Sequence, residues 1–441
     1  MRRPARETVP WLLGLFMGGL MVAGVAVYVR LLHEHDPLTS TLVRLAYPVM
    51  VGFLGVLLVR YFALLWFAFL GHVEDTASSD DGFEPLVSII VPAFNERRVI
   101  DQTLASLLAL DYSRFEIVVV DDGSNDGTFA AAVARARQAG RVPVHVVSQP
   151  NGGKASALDR GIAAAAGEYV LCVDGDSVLH PGSLTAAVRH FRDPRVGAVA
   201  GNVKVANRVN LLTWMQAIEY AEGLNVVRRA QAFFHAVNIV PGPLGMFRRQ
   251  AIASAGGYAR DTFAEDFDLT IALLERGWCI AYEPRAISYT EAPARLLPLL
   301  KQRYRWTRGM LQALRKRRRL LFRPGGLGVG LTLWLLVFDC LLWPVMNLFA
   351  TILFLAVVAR YGFTSLMVLW WLQLTMLDVA GAFFAVAIEG EDPRMVLMAP
   401  IYRACYILLI DAWKVPASVE ELLGVTMTWN KLERVGLERR R

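Results

Sequence analysis

Asp174 and Asp176 stand two residues apart in "CVDGDS", directly after an apolar run. At that spacing two carboxylates can converge on one divalent cation. All-oxygen ligation suits Mg2+ or Mn2+, which keep water and substrate phosphates as their remaining ligands. A D-x-D pair is also what a solvated turn looks like. Here a second acidic strand end, Asp121 and Asp122 in "VVDDGSNDGT", adds weight to the metal reading. Lys154 lies in "NGGKASAL". A glycine-rich approach to a helix N-terminus offers backbone N–H groups to a phosphate, and the lysine adds a point charge. Glu265, Asp266 and Asp268 open the helical "EDFDLTIALLERG". Acidic residues in a first turn complement the helix dipole. Asp266 can also serve as a general base for an attacking hydroxyl. Gln302, Arg305 and Trp306 in "QRYRW" fall at i, i+3 and i+4, one face of a helix. A juxtamembrane basic helix with an interfacial Trp has the same look.

These residues need a frame. "LVSIIVPAF", "FEIVVVDDG", "VPVHVVSQ" and "YVLCVD" read as strands, the first two as fully buried parallel ones. Between them "RRVIDQTLASLLAL", "FAAAVARARQAG" and "ASALDRGIAAAAG" read as helices. Strand alternating with helix predicts an α/β sheet with right-handed crossovers, whose ligands bind beyond the carboxyl ends of the strands. Each polar cluster at a predicted strand end is therefore at the right place. The first strand is followed by "PAFNE" rather than G-x-G-x-x-G, and no P-loop motif occurs, which argues against an oxidoreductase and an ATPase.

The 441 residues are 55% hydrophobic and 19% charged, too apolar for an ordinary soluble chain. The net charge of +7 gathers at the ends of apolar runs, which reads as membrane topology rather than nucleic-acid binding. Four scattered cysteines form neither a disulfide framework nor a zinc site. Apolar runs at residues 9–29, 45–71, 327–358 and 363–388 predict four membrane crossings. Arg60, inside the second, is expected near the cytosolic interface. Residues 395–410 are short and contain Arg403, so a re-entrant or interfacial segment is expected there rather than a fifth crossing. The expected plan is two N-terminal membrane helices (1–71), a polar linker (72–84) and a catalytic domain (85–290). Amphipathic interface helices (291–326), two membrane helices (327–388) and a re-entrant, interfacial or transmembrane segment with a basic tail (389–441) follow. The positive-inside rule puts the catalytic domain in the cytosol.

In their order, "VSIIVPAFNE", "VVDDGSNDGT", "NGGKASAL", "CVDGD", "FAEDFDL" and "QRYRW" resemble the membrane-embedded, inverting family-two glycosyltransferases. These include cellulose, chitin, hyaluronan and poly-β-1,6-N-acetylglucosamine synthases. The resemblance covers residues 85–325 and implies a Rossmann-like, GT-A type α/β domain joined to an α-helical transmembrane region. It implies a processive enzyme of the bacterial inner membrane. That enzyme would extend a β-linked polysaccharide from a UDP-sugar, UDP-N-acetylglucosamine first and UDP-glucose next, and pass the polymer across the bilayer. Under it Ala93, Phe94, Asn95, Glu96 and Asp122 line the uridine pocket, and Lys154 reaches the diphosphate. Asp174 and Asp176 hold Mg2+ or Mn2+, with Asp176 the more direct ligand, and Asp266 is the base. Arg305 holds the leaving nucleotide, while Gln302, Trp306, Gly242 and Glu265 serve the acceptor. Many relatives have Thr where this chain has Ala264, which removes one hydroxyl contact. Partners implied are the donor, the growing polymer, the lipid bilayer and, in some members, a small membrane accessory subunit. The rival readings are a non-processive transferase acting on a lipid-linked acceptor, a transporter using Asp339 and Asp378, and an inactive synthase subunit.

Overall fold

The computed structural model describes residues 41–75, 82–322, 327–363 and 365–426, with scattered positions between 15 and 30. Most of the first apolar run, part of the polar linker and the basic tail lie outside the described residues. The chain divides into two compact units. One gathers residues 79–220, 234–336 and 417–441; the other gathers 1–78, 221–233 and 337–416.

The first unit is built on an eight-stranded mixed sheet. Its strands in chain order are β1 (Val87–Ala93), β2 (Phe115–Asp121), β3 (Val144–Ser148), β4 (Tyr169–Cys172), β5 (Val178–Leu179), β6 (Val196–Val205), β7 (Gly245–Arg248) and β8 (Cys279–Thr290). They lie in the order β3-β2-β1-β4-β7-β6-β8-β5. β3, β2, β1 and β4 are parallel; β7 runs antiparallel to both β4 and β6. The apolar runs explain the centre. Every residue of β2 and all but one of β1 is buried, whereas β3 is an edge strand with a half-exposed pattern. Chain order reverses between β1 and β4, so the carboxyl ends of these two strands open a crevice at the topological switch point.

Close helix packing sharpens that crevice. Helix Lys154–Ala164 lies directly on the sheet, because Gly161 leaves no room for a Cβ, which would come within 2.3 Å of Ile90. The acidic helix Glu265–Glu275 and the long helix Leu296–Lys316 complete the unit's functional side, with the last turns of helix Leu408–Leu422.

The second unit is helical. Helices Pro48–Val73, Gly328–Arg360, Val368–Glu389 and Arg394–Leu422 are each long and apolar enough to cross a membrane. The segment read from sequence as short and re-entrant is thus part of a 29-residue helix. Arg403, the residue that weighed against a crossing, is buried and paired with Asp378, Nη2 to Oδ1 at 2.9 Å. Arg60 pairs with Asp339 at 2.6 Å and Arg229 with Glu389 at 2.9 Å. Asp339 and Asp378 are therefore ion-pair partners. Residues 209–235 read as one amphipathic stretch, but the structure breaks it. Helix Leu211–Ile218 starts on a capping box from Asn210, a π-helical segment Glu219–Val226 follows, and residues 221–233 belong to the helical unit. Glu222, Asn225, Arg228, Arg229 and Gln231 are buried there, which no exposed polar face would allow.

Candidate functional site

The end of β1 is held in an uncommon conformation. Asn95 sits at φ 52°, a left-handed position that Asn tolerates better than most residues. Its backbone N–H donates to Ser124 Oγ at 2.9 Å and its side-chain oxygen accepts from Asn125 N at 3.0 Å. Glu96 N–H donates to Thr128 Oγ1 at 2.8 Å. The Ala93 carbonyl accepts from Asp122 N at 2.8 Å, so the ends of β1 and β2 are pinned together. Asp122 itself is buried, and both its oxygens are engaged. They accept from Gly152 N, Gly153 N and Gln149 Nε2 at 2.7–2.8 Å. Before any ligand arrives, Asp122 anchors the glycine turn that leads into Lys154. Gly153, the N-cap at φ 84° and ψ 164°, is in a region only glycine enters readily. Gln149 was not visible as a functional residue from sequence; its one signal was its place at the end of β3.

Beyond β4, the "DGDS" turn is tied down by Thr103, whose hydroxyl donates to the Gly175 carbonyl at 2.9 Å. Lys154 Nζ lies 2.6 Å from Asp174 Oδ1 and 3.2 Å from Glu265 Oε1. Lys154, Gly242, Tyr258, Glu265 and Asp266 line one cavity. Loss of water pushes the Lys154 ammonium down, but Asp174, Glu265 and Asp266 outweigh this and hold it above its ordinary value. Burial pushes Glu265 up, and Lys154 and then Arg305 outweigh it, so its carboxyl lies below the usual range. Burial raises Asp266, and the Glu265 charge adds to the rise. Two adjacent carboxyls are driven apart in proton affinity, Asp266 upward and Glu265 downward.

Gly242, expected on the acceptor side, abuts Lys154 and Asp174, which were expected on the donor side. A Cβ there would meet Lys154 Nζ at 2.7 Å and both Asp174 oxygens at 3.1 Å. Its turn is hung from the acidic helix by Thr270, which accepts from Val240 N at 3.0 Å and donates to the Asp266 carbonyl at 2.7 Å. A divalent cation fits this donor set, which is oxygen only and rich in carboxylates. Among the described residues no three His, Cys, Asp or Glu side chains form a cage for a metal. The two carboxylates of "DGD" would therefore hold it with water and phosphate, as Mg2+ and Mn2+ are commonly held.

Gln302, Arg305 and Trp306 all lie on helix Leu296–Lys316. Arg305 Nη1 approaches the Phe263 carbonyl at 3.4 Å, three residues before Asp266. Trp306 is half-buried. One face is covered by Arg303, whose guanidinium carbon is 4.1 Å from the ring centroid, and Tyr220 packs at 6.4 Å. Gln302 is buried, and its oxygen accepts from Arg303 Nη1 at 2.6 Å. Arg303 in turn donates from Nε to Glu219 at 2.9 Å. Arg303 is the residue that organises this face, and its i+3 spacing to Trp306 was the available signal.

Residues 88–255 match the family model described as Glycosyl transferase family 2. The chain is 34% identical over 224 residues to the poly-beta-1,6-N-acetyl-D-glucosamine synthase of Staphylococcus aureus, covering 51% of this chain and 54% of that protein. The Staphylococcus epidermidis synthase is 33% identical over the same length. The chain spans about half the length of these curated relatives. Among solved structures, a mannosyltransferase from Pyrobaculum calidifontis in complex with GDP-Man and Mn2+ superposes with a TM-score of 0.61. It covers 84% of this chain and 98% of its own at 24% identity, a likeness of fold.

Proposed function

We propose that this chain, whose residues 88–255 form a glycosyl transferase family 2 domain, is a membrane-embedded polysaccharide synthase that uses a nucleoside-diphosphate sugar. The observation that carries this reading is the convergence of Lys154, Asp174, Glu265 and Asp266 at the crevice beside β1 and β4. A diphosphate needs cations and backbone donors, and a hydroxyl nucleophile needs a base.

In the reaction, Asp266 takes the proton of an acceptor hydroxyl. The hydroxyl oxygen bonds to the anomeric carbon as the bond from that carbon to the phosphate oxygen breaks. The electron pair leaves on the nucleoside diphosphate and the anomeric centre inverts, so an α-linked donor gives a β-glycoside. Lys154 and Arg305 neutralise the charge developing on the leaving diphosphate. A divalent cation held by Asp176 and Asp174 would supply further positive charge there. Asn95, Glu96 and Ala93 border the base and ribose end. Asp122 contributes by fixing the Gly152–Gly153 turn, whose N–H groups it holds. Trp306 offers one ring face to the acceptor sugar, Arg303 occupying the other, and Gln302 and Glu265 serve the same side.

UDP-N-acetylglucosamine is the first choice of donor, supported by the similarity to the staphylococcal synthases, and UDP-glucose is the next. The long apolar helices support a multi-pass protein with the catalytic unit in the cytosol and a polymer passing the bilayer. The test is to incubate purified protein in lipid with each labelled nucleotide sugar plus Mg2+, Mn2+ or a chelator. Nucleotide release and product length are then measured. Polymer from UDP-N-acetylglucosamine with metal is expected. Single-sugar products would move the reading to a lipid-linked acceptor, and full activity in chelator would remove the metal.

A further inference from the structure

The turn that carries Asp266 is gripped from outside the active site. Helix Leu296–Lys316 passes against residues 263 and 264, with Gly309 so close that a Cβ would stand 2.6 Å from Ala264 N and 2.8 Å from the Phe263 carbonyl carbon. On the same helix Gln312 accepts the Phe263 N–H at its Oε1, at 3.2 Å. Its other amide atom, Nε2, donates to Glu421 Oε2 at 3.0 Å. The amide orientation is therefore dictated from both ends. The backbone N–H demands an acceptor and the carboxylate demands a donor. Glu421 is itself buried and fixed by Arg308, whose Nε donates to the same oxygen at 2.8 Å. Arg308 also donates to Tyr304 Oη at 3.0 Å and to the Val425 carbonyl, while Tyr304 donates to Glu420. Glu420, Glu421 and Val425 all come from the end of the last described helix or just beyond it, more than 100 residues after Gln312 in the chain.

We propose that Gln312 and Glu421 are positioning residues for Asp266: the C-terminal helix end sets the Gln312 amide, and the amide sets the peptide from which the acidic helix starts. This rests on the reading of Asp266 as the base. Neither residue lines the cavity, so their effect runs through the backbone. Misplacing a base by about 1 Å can cost on the order of a hundredfold in rate.

An exchange of the two groups tests it. Gln312→Glu keeps an acceptor for Phe263 N–H but faces Glu421 with a like charge. Glu421→Gln keeps the shape but weakens the hold of Arg308. In the double variant the amide now at position 421 can donate to the carboxylate at position 312, which removes the like-charge contact, while Arg308 Nε, which faced the same oxygen, must turn to the amide oxygen. Turnover, donor KM, UDP affinity and melting temperature are measured on full-length protein in lipid, beside Asp266→Asn. The expected result is kcat down about ten- to a hundredfold in Gln312→Glu with UDP affinity within about twofold. Recovery of part of that loss is expected in the double variant, through the restored contact between positions 312 and 421. A double variant as slow as the worse single variant overturns the proposal. So does unchanged kcat in Gln312→Glu, or a loss that follows melting temperature rather than the exchange. Turnover surviving in Asp266→Asn overturns the base reading and the proposal with it. Loss there, with normal kcat in Gln312→Glu, overturns the positioning role alone.

Discussion

The helical unit and the candidate site of the sheet unit treat buried charge in opposite ways. Among the described residues of the helical unit, cations pair with carboxylates: Arg60 with Asp339, Arg403 with Asp378, Arg229 with Glu389. A further carboxylate there, Glu222, is pushed up to about 8 by burial and by Asp378. In the sheet unit, Lys154 faces Asp174, Glu265 and Asp266 together, and Asp266 is left with a raised proton affinity. Matched pairs specify how helices meet. A cluster with more carboxylates than cations is costly to keep, and a cation or a proton would relieve it.

The contrast breaks most sharply at Asp266. Asp266→Asn should lower turnover by about 10²–10⁴-fold while UDP binding persists, a general-base loss read in single-turnover assays. It should not destabilise the fold. A carboxyl whose folded pKa is raised makes the native state lose stability as pH climbs from the ordinary value to the raised one, and that penalty persists at pH 7. Asn removes the penalty, so the melting temperature at pH 7 should hold or rise; a clear fall would contradict the assignment.

Asp378→Asn should do the reverse. It leaves the Arg403 guanidinium buried with half its partner, and breaking a buried pair costs about 3–5 kcal/mol. Thermal unfolding in detergent should shift strongly downward, while the folded fraction keeps near-normal UDP affinity. Weakened UDP affinity at full stability would show that the two units are not separable in this way.

Trp306→Ala should cost about 2 kcal/mol in acceptor binding, as an aromatic hot spot does, and shorten the product without loss of UDP affinity. Long polymer from this variant would return "QRYRW" to a membrane-interface anchor. The smallest effect is expected at Glu222. With its carboxyl pushed up to about 8, the wild type should lose stability as pH rises from the ordinary carboxyl range to about 8, and Glu222→Gln should flatten that slope with turnover unchanged. A slope identical in both proteins would place the proton elsewhere.

Much of this was legible in the chain before any coordinates. β1, β2 and β4 announce themselves as unbroken apolar runs because they are covered on both faces, and their polar ends fall together because parallel strands end on one side. The other half of the sheet was not legible. β6 and β8 pair in parallel across a register shift at Gly201/Asn202, and β7 inserts between β4 and β6 from far along the chain. No local pattern encodes such partners. The same is true of Arg60 and Asp339, 279 residues apart, and of Gly242, whose role is to leave space. The partner of Arg403 was equally hidden: the charge in this apolar run is paired with Asp378, 25 residues away.

Gly309 also sets how this face can move. With the Ala264 peptide seated in the notch it leaves, sliding the helix by one residue would drive the side chain of Arg308 or Met310 into that peptide. The long helix and the acidic turn are keyed, like a pin in a slot. The helix that carries Trp306 is thus seated against the peptide that precedes Asp266, and one contact ties the placement of the two residues together.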